Sequence, residues 1–319
     1  MNSQTTNNRP LRVALLAGGK SGERDVSLAG AQEVAQALDP AKYQVKRFDP
    51  ATDMAKLATE AATIDVVFIL LHGRFGEDGT VQGFLDLLGL PYQGSGVLGS
   101  ALAMDKDAAK TLYRVHGLPV SAWRMAQSSD AEHPERLLTD LSLPLVVKPV
   151  RQGSSLGMGI AHTPAELGAA IGKAFGFDQE VMVEEYVKGR EITVGVIGND
   201  TLVPLPLVEI IPGESHPFFD YQAKYQAGAS KEVCPADLPD AISRQAQEYA
   251  LTAHRALKLR GYSRTDMIVS EHGLVVLETN TIPGMTPTSL LPQAAAAAGL
   301  PFPALLDRLL ELALEGKER

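Results

Sequence analysis

Of the 319 residues only one, Cys234, is a cysteine. That excludes an intrachain disulfide and fits a reducing compartment. Long apolar runs are missing too: the stretch Val66 to Leu71 is far too short to span a bilayer. Met1 to Pro10 is polar instead of signal-like, so the expected location is cytoplasmic, with no membrane partner. Basic residues are in the minority, 29 Lys+Arg against 38 Asp+Glu for a net charge of -9. A nucleic-acid partner is therefore not expected, although a local basic pocket for phosphates is compatible with this balance. Two phosphate-binding signatures are also absent. Gly18-Gly19-Lys20-Ser21-Gly22 does not form GxGxxG, and no Gly-Lys-Ser/Thr closes a Walker A loop. Small-molecule partners remain.

A chain of this length predicts two domains, or three small ones. Leu11 to Ala17 reads as a buried strand running into the glycine turn. A helix follows, with Val26, Gly30, Val34 and Leu38 on one stripe. This is the opening of a Rossmann-like unit. Asp49, after the next strand, imitates a ribose-binding acid, while Glu23 either complements the helix dipole or binds a ligand. Ile64 to Leu71 is the next parallel strand, ending at His72-Gly73-Arg74-Phe75-Gly76-Glu77-Asp78-Gly79. Ligands bind beyond such carboxyl ends, so His72 either serves a site or fixes its own loop. Gly94 to Gly99 leads into a helix that stops at Gly117 and carries Lys106 and Lys110 one turn apart.

Strands and helices alternate through the middle: Pro119 to Met125, Pro134 to Leu141, Leu145 to Pro149, Pro164 to Ala174 and Val181 to Val187. Lys148 interrupts an apolar strand, as a snorkelling edge residue or a cation aimed into a site. The loop Arg151 to Gly159 follows, with three glycines, Ser154 and Ser155, and backbone N–H groups able to wrap a phosphate; a plain hairpin connection would look similar. Ile211 to Cys234 shows no clear period but contains Phe218, Phe219, Tyr221 and Tyr225, which suggests a lid. Asp237 to Leu259 is an amphipathic helix capped by Gly261. Thr286 to Pro292 reads as the start of another, whose N–H groups make an anion site.

Arg264 to Thr286 carries the strongest signal. Asp266 to Val269 and Leu274 to Leu277 are β-branched-rich runs around Glu271-His272-Gly273. A three-residue connection centred on His272 pairs Asp266 with Glu278 and Arg264 with Asn280, all four on one face, with Met267, Val269, Val275 and Leu277 on the other. Two carboxylates and a carboxamide oxygen suit a hard cation such as magnesium, and the adjacent guanidinium would meet developing negative charge. A hairpin with one solvated face is the alternative. Directly opposed acids count against it, because like charges there repel.

The chain closely resembles the D-alanine-D-alanine ligases of the ATP-grasp superfamily over nearly its whole length. The resemblance rests on SGERDVSL (21–28), LHGRFGEDGTVQGFLDLLGLPYQGSG (71–96), MDK (104–106), VVKPVRQGSSLGM (146–158), the Lys224-Tyr225 pair, and RTD followed by LETNTIPGMTPTSL. It implies an α/β fold, α+β in its C-terminal part: an ATP-grasp with a Rossmann-like substrate domain (1–105), a central subdomain (106–190) and a C-terminal subdomain (191–319) carrying the metal site and a lid at 211–234. ATP would lie between the last two. Lys106 and Lys148 would serve its phosphates, with Ser154 and Ser155 in the loop that closes over them, Glu184 its adenine and Glu191 its ribose; Lys224 would bind both ATP and the D-alanine substrate. Asp266, Glu278 and Asn280 match the family's magnesium ligands, for two ions that manganese can replace, with Asn280 also beside ATP. Glu23, Ser154 and Tyr225 would form a hydrogen-bonded chain at the first D-alanine, with His72 nearby. Arg264 and the Gly284 N–H would stabilise an oxyanion, and Ser289 and Leu290 would receive the second D-alanine. The implied reaction joins two D-alanines through an acyl phosphate, for peptidoglycan precursors, in a cytoplasmic homodimer. LETNTIPG and YSRTD depart slightly from the commoner LEANTSPG and WGRID, without replacing a side chain assigned to chemistry. Lys224-Tyr225 favours D-alanine over D-lactate as second substrate. A dinucleotide enzyme would need the missing glycine fingerprint, and a non-catalytic sensor would need a degraded metal face.

Overall fold

The computed structural model describes residues 9–213 and 230–315. Its first part alternates β1 (Leu11–Ala17), α1 (Arg24–Ala37), β2 (Tyr43–Phe48), α2 (Met54–Glu60), β3 (Val66–Leu70) and α3 (Thr80–Leu87). The strands form a parallel sheet in the order β2-β1-β3. Val13, Leu15, Phe68 and Leu70 are buried on one face, and Ala14, Leu16, Val67 and Ile69 on the other. Burial on both faces is why these strands read as unbroken apolar runs. Ser27 ties the glycine turn to the carboxyl ends, accepting the Gly18 N–H at 2.8 Å and donating to the Leu70 carbonyl. Asp49 serves the same turn. It accepts the Gly19 N–H at 2.9 Å and pairs with Arg24 at 2.6 Å, and the Arg24 guanidinium holds its carboxyl down to about 2.

The single helix expected after Gly99 is two helices, α4 (Val97–Met104) and α5 (Lys106–Val115). Asp105 divides them: it is extended, and its carboxylate accepts the Ala108 N–H at 3.0 Å as an N-cap. Lys106 is thus the first residue of α5. Tyr113, two turns on, donates to Thr279 Oγ1 at 2.8 Å and fastens α5 to the last sheet.

An antiparallel second sheet has the order β4 (Trp123–Ala126), β7 (Val181–Glu185), β5 (Leu145–Pro149), β6 (Gly159–Ala161). It is backed by α6 (Pro164–Ala174), which starts with Thr163 accepting the Glu166 N–H and proline in the first turn. The helix expected at Pro134 to Leu141 is a tighter 3-10 segment, Pro134–Thr139.

The third sheet contains β8 (Arg190–Gly198), β9 (Val203–Pro204), β10 (Val208–Pro212), β11 (Ser230–Val233), β12 (Gly261–Ser270) and β13 (Gly273–Asn280). Their order is β11-β10-β8-β12-β13, with β9 beside β8. Helix α7 (Asp240–Ala256) packs Ala246, Ala250 and Ala253 against Ile192, Val194 and Val196. It ends earlier than expected, because Lys258 takes a left-handed φ of 55°. Gly261 instead opens β12, where a Cβ would lie 3.1 Å from the Gly94 nitrogen. The chain ends in α8 (Leu290–Ala297) and α9 (Phe302–Glu315). Leu305, Leu306 and Leu309 of α9 share one core with Val13, Leu15 and Phe68, so the last helix covers the first sheet.

The segment expected to be structureless from Ile211 to Cys234 begins and ends in strands: Ile211 pairs with Lys231 and Pro212 with Ser230. Phe218, Phe219, Tyr221, Lys224 and Tyr225 lie outside the described residues. Among the described residues no helix is long and apolar enough to cross a membrane.

Candidate active site

The hairpin reaches the expected pairing by a different route. Ser270 lies opposite Gly273, so the connection is the two residues Glu271-His272. Continued regularly, that register would bring Asp266 opposite Leu277. Instead Met267 faces Val276 while Asp266 faces Glu278, leaving Leu277 as a bulge. The bulge restores the pairs Asp266 with Glu278 and Arg264 with Asn280. It also corrects the expected apolar face. Met267, Leu274 and Val276 enter the core, with Val269 against them. Leu277 turns into the wall of a cleft, and Val275, expected beside Met267, is only half-buried.

On the polar face Arg264 donates from Nε and Nη2 to the two Asp266 oxygens, each at 2.9 Å. Thr193 donates to Asp266 Oδ1 at 2.6 Å and Asn280 Nδ2 to Oδ2 at 3.2 Å. Lys106 Nζ lies 4.0 Å from Glu278 Oε2. Each of the opposed acids thus has a cation beside it, which is how the ladder tolerates them. Among the described residues no three of His, Cys, Asp and Glu gather as a metal group; the third donor here is the Asn280 carboxamide. A flip of that amide presents oxygen in place of nitrogen. The donors are then all oxygen, and fit a hard cation that completes its shell with water and phosphate.

The cleft, about 340 Å³, opens between the second and third sheets. Its wall brings together Lys106, Lys148, Ser154, Ser155, Glu184 and Glu191 and extends to Asp266 and Glu278. Residues picked from four separate stretches of sequence therefore meet in one place. Lys106 donates to the Gln152 carbonyl at 2.7 Å, so the glycine-serine loop and α5 are joined at the site. Ser154 and Ser155 both have left-handed backbones, φ 50° and 58°. Backbone strain of this kind clusters at functional sites. Glu184 is buried and pairs with Lys148 and Lys110. Burial pushes its carboxyl up, but Lys148 and then Lys110 more than reverse this and hold it at about 2. The same partner decides Lys148: burial lowers it, yet Glu184, Glu278 and Glu191 leave it above the usual lysine value.

Glu23 stands at the N-cap of α1 without capping that helix through its side chain. Its carboxylate instead accepts the Ser154 hydroxyl, which joins the first sheet to the loop of the cleft. Space for it depends on two glycines. A Cβ on Gly73 would lie 2.7 Å from Glu23 Oε2 and one on Gly153 3.0 Å from it, and Gly73 also needs its φ of 70°. His72 is buried beside Glu23; burial lowers its pKa, against the pull of Glu23 and a hydrogen bond to the Ile282 backbone. Glu77 received no role from the sequence, although it lies in the same glycine-flanked stretch as His72. Its carboxylate accepts the Gly73 N–H at 2.8 Å and the Ile282 N–H at 3.3 Å. Burial, with the charge of Glu23, pushes it up to about 8. An acid beyond a parallel strand was the available signal. Thr193 and Ser121 carry no local mark that separates them from ordinary strand and loop residues; Lys110, one turn from Lys106, was given no role.

On the far side, Ser289 is the N-cap of α8 and Leu290 its first residue. The Ser289 hydroxyl accepts the Thr286 N–H at 3.1 Å and lies 3.0 Å from where a Gly284 Cβ would stand.

A parallel Rossmann-like sheet beside two antiparallel sheets that enclose a lysine-lined cleft defines an ATP-grasp architecture. Family models described as "D-ala D-ala ligase C-terminus" and "D-ala D-ala ligase N-terminus" match residues 112–311 and 49–95. The chain is 60% identical over 307 residues to a D-alanine--D-alanine ligase of Desulfotalea psychrophila, covering 96% of this chain and 95% of that one. Among solved structures, a D-alanine--D-alanine ligase from Bacillus anthracis complexed with ATP is 33% identical with a TM-score of 0.83, covering 97% of this chain and 99% of that one. The VanG D-Ala:D-Ser ligase from Enterococcus faecalis is also 33% identical, TM-score 0.83, over 96% of this chain and 100% of that one. The chain belongs to the D-alanine-D-alanine ligase family.

Proposed function

We propose that this chain joins two D-alanines at the expense of ATP, through an acyl phosphate, to supply peptidoglycan precursors in the cytoplasm. The observation that carries the reading is the Glu23 to Ser154 contact. It sets a carboxylate able to hold a substrate ammonium beside the loop that would cover the transferring phosphate. Lys106 and Lys148 bind the phosphates, Ser155 and Lys224 assist them, Glu184 meets the adenine and Glu191 the ribose. Asp266, Glu278 and Asn280 would hold magnesium, two ions with manganese as a substitute, which supplies charge neutralisation on the phosphates.

Glu23 holds the ammonium of the first D-alanine, with His72 behind it and Ser154 and Tyr225 on its flank. An oxygen of that substrate's carboxylate attacks the terminal phosphorus of ATP, and ADP leaves. The second D-alanine, its carboxylate received at Ser289, Leu290 and the start of α8, then attacks the acyl carbon with its amine. Arg264 and the Gly284 N–H stabilise the resulting oxyanion, and phosphate departs. The Lys224-Tyr225 pair supports D-alanine over D-lactate as second substrate. We further propose a homodimer, and a division into units 1–105, 106–190 and 191–319 with a lid at 211–234.

The route has an isotopic signature. With oxygen-18 in the carboxylate of D-alanine, the released phosphate should carry one labelled oxygen. Unlabelled phosphate, formed together with the dipeptide, would rule out the acyl phosphate.

A further inference from the structure

Behind the cleft wall lies a charged residue that would touch no substrate. Lys110 is 1% exposed and follows Lys106 by one turn of α5. Its ammonium donates to Ser121 Oγ at 2.7 Å, pairs with Glu184, and lies 5.2 Å from the centre of the Trp123 ring. Glu184 Oε2 takes both Lys110 and, at 2.9 Å, the Ser121 hydroxyl. The other oxygen, Oε1, pairs with Lys148. One buried carboxylate thus has two ammonium partners: Lys148 lies in the cleft wall, and Lys110 behind it.

We propose that Lys110 is a positioning residue, the standing counter-ion of Glu184 that allows Lys148 to leave this carboxylate for a nucleotide phosphate. The proposal rests on the ATP reading of the cleft. A buried carboxylate stripped of its cation is strongly disfavoured. With Lys148 as its sole partner, Glu184 would either be left bare when ATP binds or keep the lysine off the phosphates. With Lys110 and Ser121 fixed on Oε2, departure of Lys148 leaves a compensated carboxylate. It also turns Oε1 into an open acceptor, which suits the exocyclic amino group of adenine and repels the 6-oxo group of guanine. Lys110 therefore sets both the affinity for ATP and the preference over GTP through Glu184.

A double-mutant cycle separates this role from that of a structural pin between α5 and β7. ATP and GTP binding are measured by calorimetry for the wild-type chain, Lys110→Met, Glu184→Gln and the double variant, with D-alanine kinetics at saturating ATP. Lys110→Met alone should weaken ATP binding by about thirtyfold or more and narrow the ATP over GTP preference, while the D-alanine KM stays within about threefold. In the Glu184→Gln background, where no charge needs a partner, the same substitution should change ATP affinity by less than about threefold. An equal loss in both backgrounds, or none in either, overturns the proposal. If Lys110→Met alone does not fold, the Glu184→Gln pair decides, and a loss beyond about tenfold there is fatal. A wild-type chain that binds no ATP would refute the nucleotide reading itself; wild-type binding that Lys110→Met leaves unchanged would refute only the role of Lys110.

Discussion

Asp266→Asn and Glu278→Gln are each expected to lower kcat by about three orders of magnitude, roughly 4 kcal/mol of transition-state stabilisation. Each removes a full charge from the donor set that would hold the metal on the transferring phosphoryl group. The two should differ in side effects. Asp266 also takes both ends of the Arg264 fork and the Thr193 hydroxyl, so its loss loosens the group proposed to meet the oxyanion. Glu278 has its cationic neighbour Lys106 at 4.0 Å, and its loss should fall more on ATP. Both variants should fold: Asp266→Asn keeps one of the two accepting oxygens that Asp266 uses, and β12 stays held to β8 by the ladder from Gly261 to Val269. Turnover at saturating magnesium, with circular dichroism as the folding control, tests this; activity within about tenfold of wild type in either variant would remove that residue from the metal site.

Glu23→Gln should raise the KM of the first D-alanine by about one to two orders of magnitude, since a charge-assisted hydrogen bond contributes roughly 1.5 to 3 kcal/mol. Glutamine keeps an oxygen to accept the Ser154 hydroxyl, so the substitution isolates the charge from the contact. Gly73 and Gly153 leave no spare room around this side chain, which keeps the replacement amide in the same place. The second D-alanine should be affected far less. Equal losses at both subsites, separated by initial-rate kinetics over a wide D-alanine range, would contradict the assignment.

The polar face of the hairpin was legible because strand alternation depends only on local spacing, yet the turn and the bulge were not. β12 pairs with β8 in unbroken register from Gly261 to Val269, so any irregularity between β12 and β13 has to fall on β13. That constraint comes from a strand more than sixty residues away and has no local sequence mark. A tighter turn and an extra residue cancelled, so Asp266 still meets Glu278 while Val275 and Leu277 change sides. Asp105 carries a cap signal that the apolar pattern running across it obscures. Lys110 stands one turn from Lys106 in the sequence, but its burial follows from the meeting of α5, β4 and β7. The covering of β1 and β3 by α9 was equally invisible, since nothing in Leu305 to Leu310 names its partner. Lys224 and Tyr225, proposed to favour D-alanine as second substrate, lie outside the described residues.

A stereoselective, ATP-driven ligase of D-alanine should release phosphate only when it joins that enantiomer. Phosphate release from ATP, measured with magnesium across a panel of D- and L-amino acids alongside chromatography of the product, tests it most directly. The chain should release phosphate with D-alanine, one for each D-alanyl-D-alanine formed, and none with L-alanine. Equal rates with both enantiomers, or phosphate release without dipeptide, would contradict it.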